Sequence, residues 1–333
     1  MRPAVAVIGG GSWGTTLASM CARHGPATLW ALEDEVVAEI NERHANSLYL
    51  SGFELPVALR ATRSFPAAMD GAEVVVMAVP SKHFRGVLEQ AAPSVPRGAP
   101  IVSVAKGFEP RTLLRMTQVI AELVPESPRA ALSGPNLSRE VMAGQAAGAV
   151  VACRDLAVAE RLQEAFNCGL YRVYTSRDVI GVEAAAALKN VIAIAAGMAD
   201  GVGVGDNTRA LVITRGLSEL TRLGVAMGGE PSTFAGLAGL GDLLATCISP
   251  LSRNRYVGEQ LGKGRKLDEV VAEMHMVAEG VHTCGVVLEL ARRHGVEMPI
   301  CREIDRVLHG GATALEAYRG LVRHPPGSES GKE

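Results

Sequence analysis

Hydrophobic positions in the first half of the chain fall in short unbroken runs. Residues 4–8, 28–32, 73–79, 101–105, 130–133, 149–152 and 170–174 each read as a strand. Unbroken runs of this length suit strands buried on both faces of a sheet. Residues 13–24 and 34–45 carry helical spacing between the first strands. Strands separated by helices imply βαβ units, with helices covering both faces of the sheet. The pattern changes at residue 178. Residues 178–200 read as one alanine-rich helix, followed by helical patterns and glycine loops without a further strand. The expected organisation is α/β over 1–178 and all-helical over 179–323. The segment 324–333, which contains Pro325-Pro326-Gly327, is expected to be a disordered tail.

Composition narrows the classes of function. The 333 residues include 33 basic and 35 acidic side chains, for a net charge of −2, and aromatics are 4%. A nucleic-acid groove needs cationic or stacking surface, and this chain offers little of either. Cys21, Cys153, Cys168, Cys247, Cys284 and Cys301 are scattered with no C-x-x-C pair. They read as free thiols of a cytoplasmic protein, with no metal site. Cys247, His275 and His282 show no ligand spacing and read as core or surface residues. The first apolar run is too short for a signal-peptide core. The stretch 182–199 is apolar, but Glu183, Lys189 and Asn190 interrupt it, which argues against a membrane span.

Chemistry enters at the end of the first strand. Gly9-Gly10-Gly11-Ser12-Trp13-Gly14 reads G-x-G-x-x-G between a strand and a helix. In this context the first glycine makes a tight turn and the second admits a pyrophosphate. The third lets helix and strand approach, and the helix N-terminus faces the phosphates. Glu33 follows at the end of the second strand, about twenty residues on, where an acid can accept from a ribose hydroxyl. The motif predicts an N-terminal Rossmann-type doubly wound sheet that binds a dinucleotide, followed by a C-terminal all-helical domain.

Other candidates are open to two readings. Lys106 sits at a strand's carboxyl end, as a site residue or as a solvated loop lysine. Lys189 and Asn190 lie mid-helix among apolar neighbours. Burial disfavours the charged form of a lysine, as a general acid/base requires, although such a side chain can also snorkel to a helix edge. Asp242 ends a glycine-rich loop as a helix cap, a site residue or both. Ser252-Arg253-Asn254 is either a phosphate cradle or a solvated basic turn.

Taken in order along nearly the whole chain, these elements resemble the NAD(P)-dependent glycerol-3-phosphate dehydrogenases. The resemblance rests on Gly9–Gly14, Ala105-Lys106-Gly107, Ser133-Gly134-Pro135-Asn136 and Leu188-Lys189-Asn190. It continues through Gly203-Val204-Gly205-Asp206-Asn207, Gly239-Leu240-Gly241-Asp242, Ser252-Arg253-Asn254 and Val277-Ala278-Glu279-Gly280. It implies reversible reduction of dihydroxyacetone phosphate to sn-glycerol 3-phosphate, supplying phospholipid synthesis. It makes Lys189 the proton donor and acceptor, with Lys106, Asn190 and Asp242 orienting the reacting groups. Ser252, Arg253 and Asn254 would hold the phosphate, while Gly134 and Asn136 would line the substrate. Gly9, Gly11, Ser12, Trp13, Gly14, Glu33, Ser138, Val277 and Glu279 would bind NAD or NADP, with Lys106 and Arg253 also reaching the cofactor. A homodimer is the family-based expectation.

One departure concerns cofactor choice. Many bacterial relatives place arginine or histidine after the second strand's tryptophan, whereas Trp30 here precedes Ala31-Leu32-Glu33-Asp34. NADH is therefore expected to be preferred, with Arg43 or Arg63 as the basic residues that could offset the acids. Two rivals are a reductase of small keto acids and a non-catalytic NAD(H)-binding regulator. The first requires Arg253 to meet a carboxylate. The second has no use for Lys189 and Asp242 together.

Overall fold

The computed structural model describes residues 2–274 and 278–323. Val277 and His275, and the expected tail 324–333, lie outside the described residues. Packing divides the chain into Met1–Ala187 with Met227–Asp242, and Leu188–Ala226 with Leu243–Glu333. This differs from a single cut at residue 178. The physical reason for the returning segment is Asp178, whose carboxylate accepts from Gly181 N at 2.7 Å, Glu230 N at 2.8 Å and Thr233 Oγ1 at 2.6 Å. One buried side chain thus caps the start of the long helix and ties down the strand-free segment beginning at Met227.

The first unit holds an eight-stranded sheet in the order β3-β2-β1-β4-β5-β6-β7-β8. The strands are β1 Val5–Ile8, β2 Ala27–Trp30, β3 Arg60–Thr62, β4 Val74–Met77, β5 Ile101–Ser103, β6 Arg129–Ser133, β7 Ala147–Cys153 and β8 Tyr171–Ser176. All neighbours are parallel except β6 and β7. The central strands have no polar face because both faces are covered. Val5, Val7, Leu29 and Val76 pack with Leu17, Leu162 and Phe166 on one side. Ala6, Ile8, Val75 and Met77 pack with Phe84, Leu88 and Ile120 on the other. The alternation of side chains along a strand sorts neighbouring residues into these two layers.

The second unit is helical. It includes the later part of Val179–Val202, then Asp206–Ala226, Arg253–Gly262, Leu267–Ala272, Glu279–His294, Pro299–Leu308 and Ala314–Arg323. Val179–Val202 is long and apolar enough to cross a membrane, yet 94% of its most apolar window is buried inside the protein. It is a core helix. None of the six cysteines forms a disulfide; Cys168 is half-buried and the others are buried.

The long helix and the helix Arg253–Gly262 meet through glycines on both sides. A Cβ on Gly197 would lie 2.0 Å from Arg255 O, and one on Gly201 would lie 2.2 Å from Glu259 O. Reciprocally, a Cβ on Gly258 would lie 2.0 Å from Ile194 O, and one on Gly262 would lie 2.7 Å from Gly201 Cα. Four-residue spacing puts each pair on one helix face, so the backbones touch directly. Arg255 fastens the crossing, donating from Nε to Asp200 Oδ2 at 2.9 Å.

This contact generates a stability prediction. Gly258→Ala must push the helices apart, and overpacking of this kind costs about 1–3 kcal/mol. Gly285→Ala, on the helix Glu279–His294 with open space around it, should be neutral or mildly stabilising. Urea unfolding of the two variants checks this; equal midpoints would mean that the crossing tolerates a methyl group.

Candidate active site

In the first unit, the glycine turn is built as a dinucleotide cradle. Gly9 has φ +127°, and a Cβ there would sit 2.4 Å from Ala78 O. A Cβ on Gly14 would lie 2.0 Å from Gly9 O, so the outer two glycines are dictated by packing. Gly11 differs, because no atom lies within 4 Å of its Cβ position. Open space at the second glycine is what a pyrophosphate needs, and packing alone would not demand glycine there. Gly11 also precedes the helix Ser12–Ala22 without a side-chain cap, so the first turn is left to an anion.

Residues outside the motif lock the turn. Asn46 is buried and donates from Nδ2 to Gly10 O at 2.9 Å and to Thr15 Oγ1 at 2.8 Å. Thr15 Oγ1 donates to Gly10 O at 3.1 Å. Ser12 Oγ donates to Tyr49 O at 2.5 Å. The Tyr49 hydroxyl in turn donates to Glu33 Oε1 at 2.7 Å. Burial, and then the Glu33 carboxylate, push the Tyr49 phenol up to about 12, so it stays a donor at neutral pH. Asn46, Thr15 and Tyr49 carry no signal in the sequence motif; the topology places them there.

Lys106 follows β5 and is held on two sides. Its Nζ donates to Asp242 Oδ2 at 2.7 Å and to Gly134 O at 2.9 Å. Asp242 is 2% exposed and has helical angles (φ −70°, ψ −33°). It stands where a five-residue π-helical turn, Leu237–Gly241, runs into the helix Asp242–Ile248. The carboxylate faces Lys106, so the structure displays a charge partner at the position where a cap was the alternative. Gly134 has φ +155°, and a Cβ there would meet Gly148 O at 2.5 Å. Asn136 places its amide beside the buried Tyr171 hydroxyl without completing a well-aligned hydrogen bond. The half-buried Trp13 ring packs 6.0 Å from Tyr171. Ser138 begins the short helix Ser138–Met142 and is half-buried.

In the second unit, Lys189 is 4% exposed, which excludes a snorkelling side chain. Its Nζ donates to Thr246 Oγ1 at 2.5 Å. Thr246 lies one helical turn past Asp242, a spacing the sequence does contain. Asn190 Oδ1 accepts from Asn254 Nδ2 at 2.9 Å, and Asn254 Oδ1 accepts from Gly280 N at 2.9 Å. Asn254 is buried and joins the long helix to the start of the helix Glu279–His294. Ser252 caps the helix Arg253–Gly262 by accepting from Arg255 N at 3.2 Å. Arg253 stands at that helix's first position, with the half-buried Glu279 as its electrostatic counterpart. Surrounding protein lowers the tendency of Arg253 to hold its proton, and Glu279 opposes this. More than a third of Arg253 is open to water, which keeps the guanidinium charged. A charged fork at a helix N-terminus can take an oxyanion.

Known proteins resemble this chain over nearly its whole length. Family models described as NAD-dependent glycerol-3-phosphate dehydrogenase N-terminus and C-terminus match residues 4–159 and 178–319. A Sphingopyxis alaskensis protein named glycerol-3-phosphate dehydrogenase (NAD(P)+) 2 is 52% identical over 330 residues, 99% of each chain. A Mycobacterium avium protein named glycerol-3-phosphate dehydrogenase (NAD(P)+) is 53% identical, covering 98% of this chain and 96% of its own. The crystal structure of a Coxiella burnetii glycerol-3-phosphate dehydrogenase superposes with a TM-score of 0.93 at 34% identity, covering 97% of this chain and 99% of its own. The glycine cradle, Lys106, Lys189 and the arginine–asparagine cluster thus stand in a chain that belongs to the NAD-dependent glycerol-3-phosphate dehydrogenase family.

Proposed function

We propose that this protein interconverts dihydroxyacetone phosphate and sn-glycerol 3-phosphate, supplying the latter for phospholipid synthesis. The observation that carries the reading is that two helices joined by glycine contacts bear a buried, hydroxyl-held Lys189 on one and Arg253 at the start of the other. Bound nicotinamide supplies or accepts the hydride. Lys189 Nζ, oriented by Thr246, gives or takes the proton at the substrate's C2 oxygen. Asn190, fixed by Asn254, orients the substrate's hydroxyls. Arg253, with Ser252 and Asn254 at the helix start, takes the phosphate. In the sheet unit, Lys106, held by Asp242 and Gly134 O, presents a positioned cation to the carbonyl oxygen as charge develops there. Gly134 and Asn136 line the substrate. Gly9, Gly11, Ser12, Trp13, Gly14, Glu33, Ser138, Val277 and Glu279 bind the dinucleotide, joined by Lys106 and Arg253. Free thiols and the family suggest a homodimer in the cytoplasm.

Lys189→Ala should lower turnover by about 10²–10⁴-fold, the scale of a lost general acid/base, while the cofactor dissociation constant changes little. Retention of more than a tenth of wild-type turnover would remove Lys189 from that role. Arg253→Ala should lower kcat/KM for dihydroxyacetone phosphate by at least about tenfold, because hydrogen bonds to a charged group contribute about 1.5–3 kcal/mol each. Turnover of unphosphorylated dihydroxyacetone should barely move; equal losses on both substrates would make Arg253 structural. The third expectation is a higher kcat/KM with NADH than with NADPH, because the Glu33 carboxylate can accept from a ribose hydroxyl and repels a 2′-phosphate. The reverse order in parallel assays would refute it, and Glu33→Arg should narrow the gap.

A further inference from the structure

The carboxyl end of β2 carries a second acid beside Glu33, and this acid has a partner. Asp34 Oδ2 lies 2.6 Å from Arg63 Nη1. The two residues come from different elements: Asp34 opens the helix Asp34–Arg43, and Arg63 directly follows β3. They meet because β2 and β3 are parallel neighbours, with Trp30 paired to Thr62 and Ala31 N donating to Thr62 O at 3.1 Å. The backbone of Arg63 is also fixed. Its carbonyl accepts from Trp30 Nε1 at 2.7 Å, and the Trp30 ring stacks on Phe65 with centroids 4.5 Å apart and planes 12° from parallel. A guanidinium is thereby anchored at the end of β2, where the adenosine ribose of a bound dinucleotide lies in this fold.

Both side chains are largely exposed, at 51% for Arg63 and 76% for Asp34. Their ion pair is therefore weak and screened, and it can exchange partners. Glu33 also acts on Arg63 through space, while Tyr49 holds one Glu33 oxygen. Two carboxylates thus surround one guanidinium. A 2′-phosphate arriving there meets an arginine that is already paired, together with a net negative field. One arm of the fork that could bind it, Nη1, is engaged by Asp34.

We propose that Asp34 sets the cofactor specificity of this protein by withholding Arg63 from the 2′-phosphate, so that the Asp34–Arg63 pair works as a specificity switch separate from Glu33. This rests on the reading that the dinucleotide's adenosine end lies beside β2. Removing the carboxylate releases Arg63 toward a 2′-phosphate without adding any basic residue. Adding phosphate specificity in this way requires Arg63; simple relief of repulsion does not.

The test uses adenosine fragments and the full-length protein, so it does not depend on turnover. Dissociation constants for ADP and adenosine 2′,5′-bisphosphate are measured by titration calorimetry. Wild type, Asp34→Asn, Asp34→Ser, Arg63→Gln and the Asp34→Asn/Arg63→Gln double variant are compared at one ionic strength. The ratio of the two constants cancels any general loss of binding. In both Asp34 variants the ratio should move toward the 2′-phosphate by roughly fivefold, the scale of one exposed charge pair. Adding Arg63→Gln should abolish that shift, and Arg63→Gln alone should leave the ratio near the wild-type value. An unchanged ratio in the Asp34 variants, or a shift of equal size in the double variant, overturns the proposal. A wild-type ratio that already favours the 2′-phosphate would instead refute the NADH reading of Glu33; the Asp34 shift still decides the switch.

Discussion

The chemistry proposed for the helical unit depends on a backbone contact. Helix Arg253–Gly262 presses against Val179–Val202 closely enough that Gly197, Gly201, Gly258 and Gly262 have no room for a Cβ. At that separation Asn254 reaches Asn190 at 2.9 Å, and the same side chain reaches on to Gly280 N. Gly280 is itself confined, since its Cβ would lie 2.6 Å from Asn190 O. Lys189 and Asn190 on one helix, and Arg253 and Asn254 on the other, are thereby held at a spacing set by glycine. Wider packing would break the hydrogen bond between the buried amides of Asn190 and Asn254, a loss that is costly away from water.

The sheet unit follows the same logic at smaller scale. Gly9, Gly14 and Gly134 occupy positions where backbone meets backbone, and Gly11 stands apart because it faces open space. The first three are required by packing, and the fourth leaves the open space that a ligand needs. Lys106 and Asp242 form a charge pair with very unequal exposure, 18% against 3%. Breaking such a pair strands a buried charge, so each partner's position enforces the other's.

Much of this was legible in the sequence, for identifiable reasons. Central strands announce themselves because burial on both faces leaves unbroken apolar runs, as at Val74–Met77. The three-residue edge strand Arg60–Thr62 was not seen, since only Ala61 is buried and no run forms. The antiparallel pairing of β6 with β7 also has no sequence signature, because strand direction depends on the path of the connection. Lys189 was visible as a lone charge in an apolar helix, but its partner Thr246 came from a segment more than fifty residues away. The sequence offers Ser252 as a phosphate ligand, and in the structure its hydroxyl caps the helix that carries Arg253. Asn46 and Tyr49 were missed because they lock the glycine turn and Glu33 from a separate short helix, Ser47–Leu50, and its cap.

Substrate choice decides whether the fork at Arg253 takes a phosphate and Lys189 gives its proton to a ketone. The direct measurement is NADH oxidation by the wild-type protein, offered dihydroxyacetone phosphate in one assay and a panel of small 2-keto acids in another. Rapid oxidation with dihydroxyacetone phosphate, formation of sn-glycerol 3-phosphate, and no turnover above background with the keto acids are expected. Turnover of a keto acid with none of dihydroxyacetone phosphate would contradict this, since Arg253 would then be reading a carboxylate.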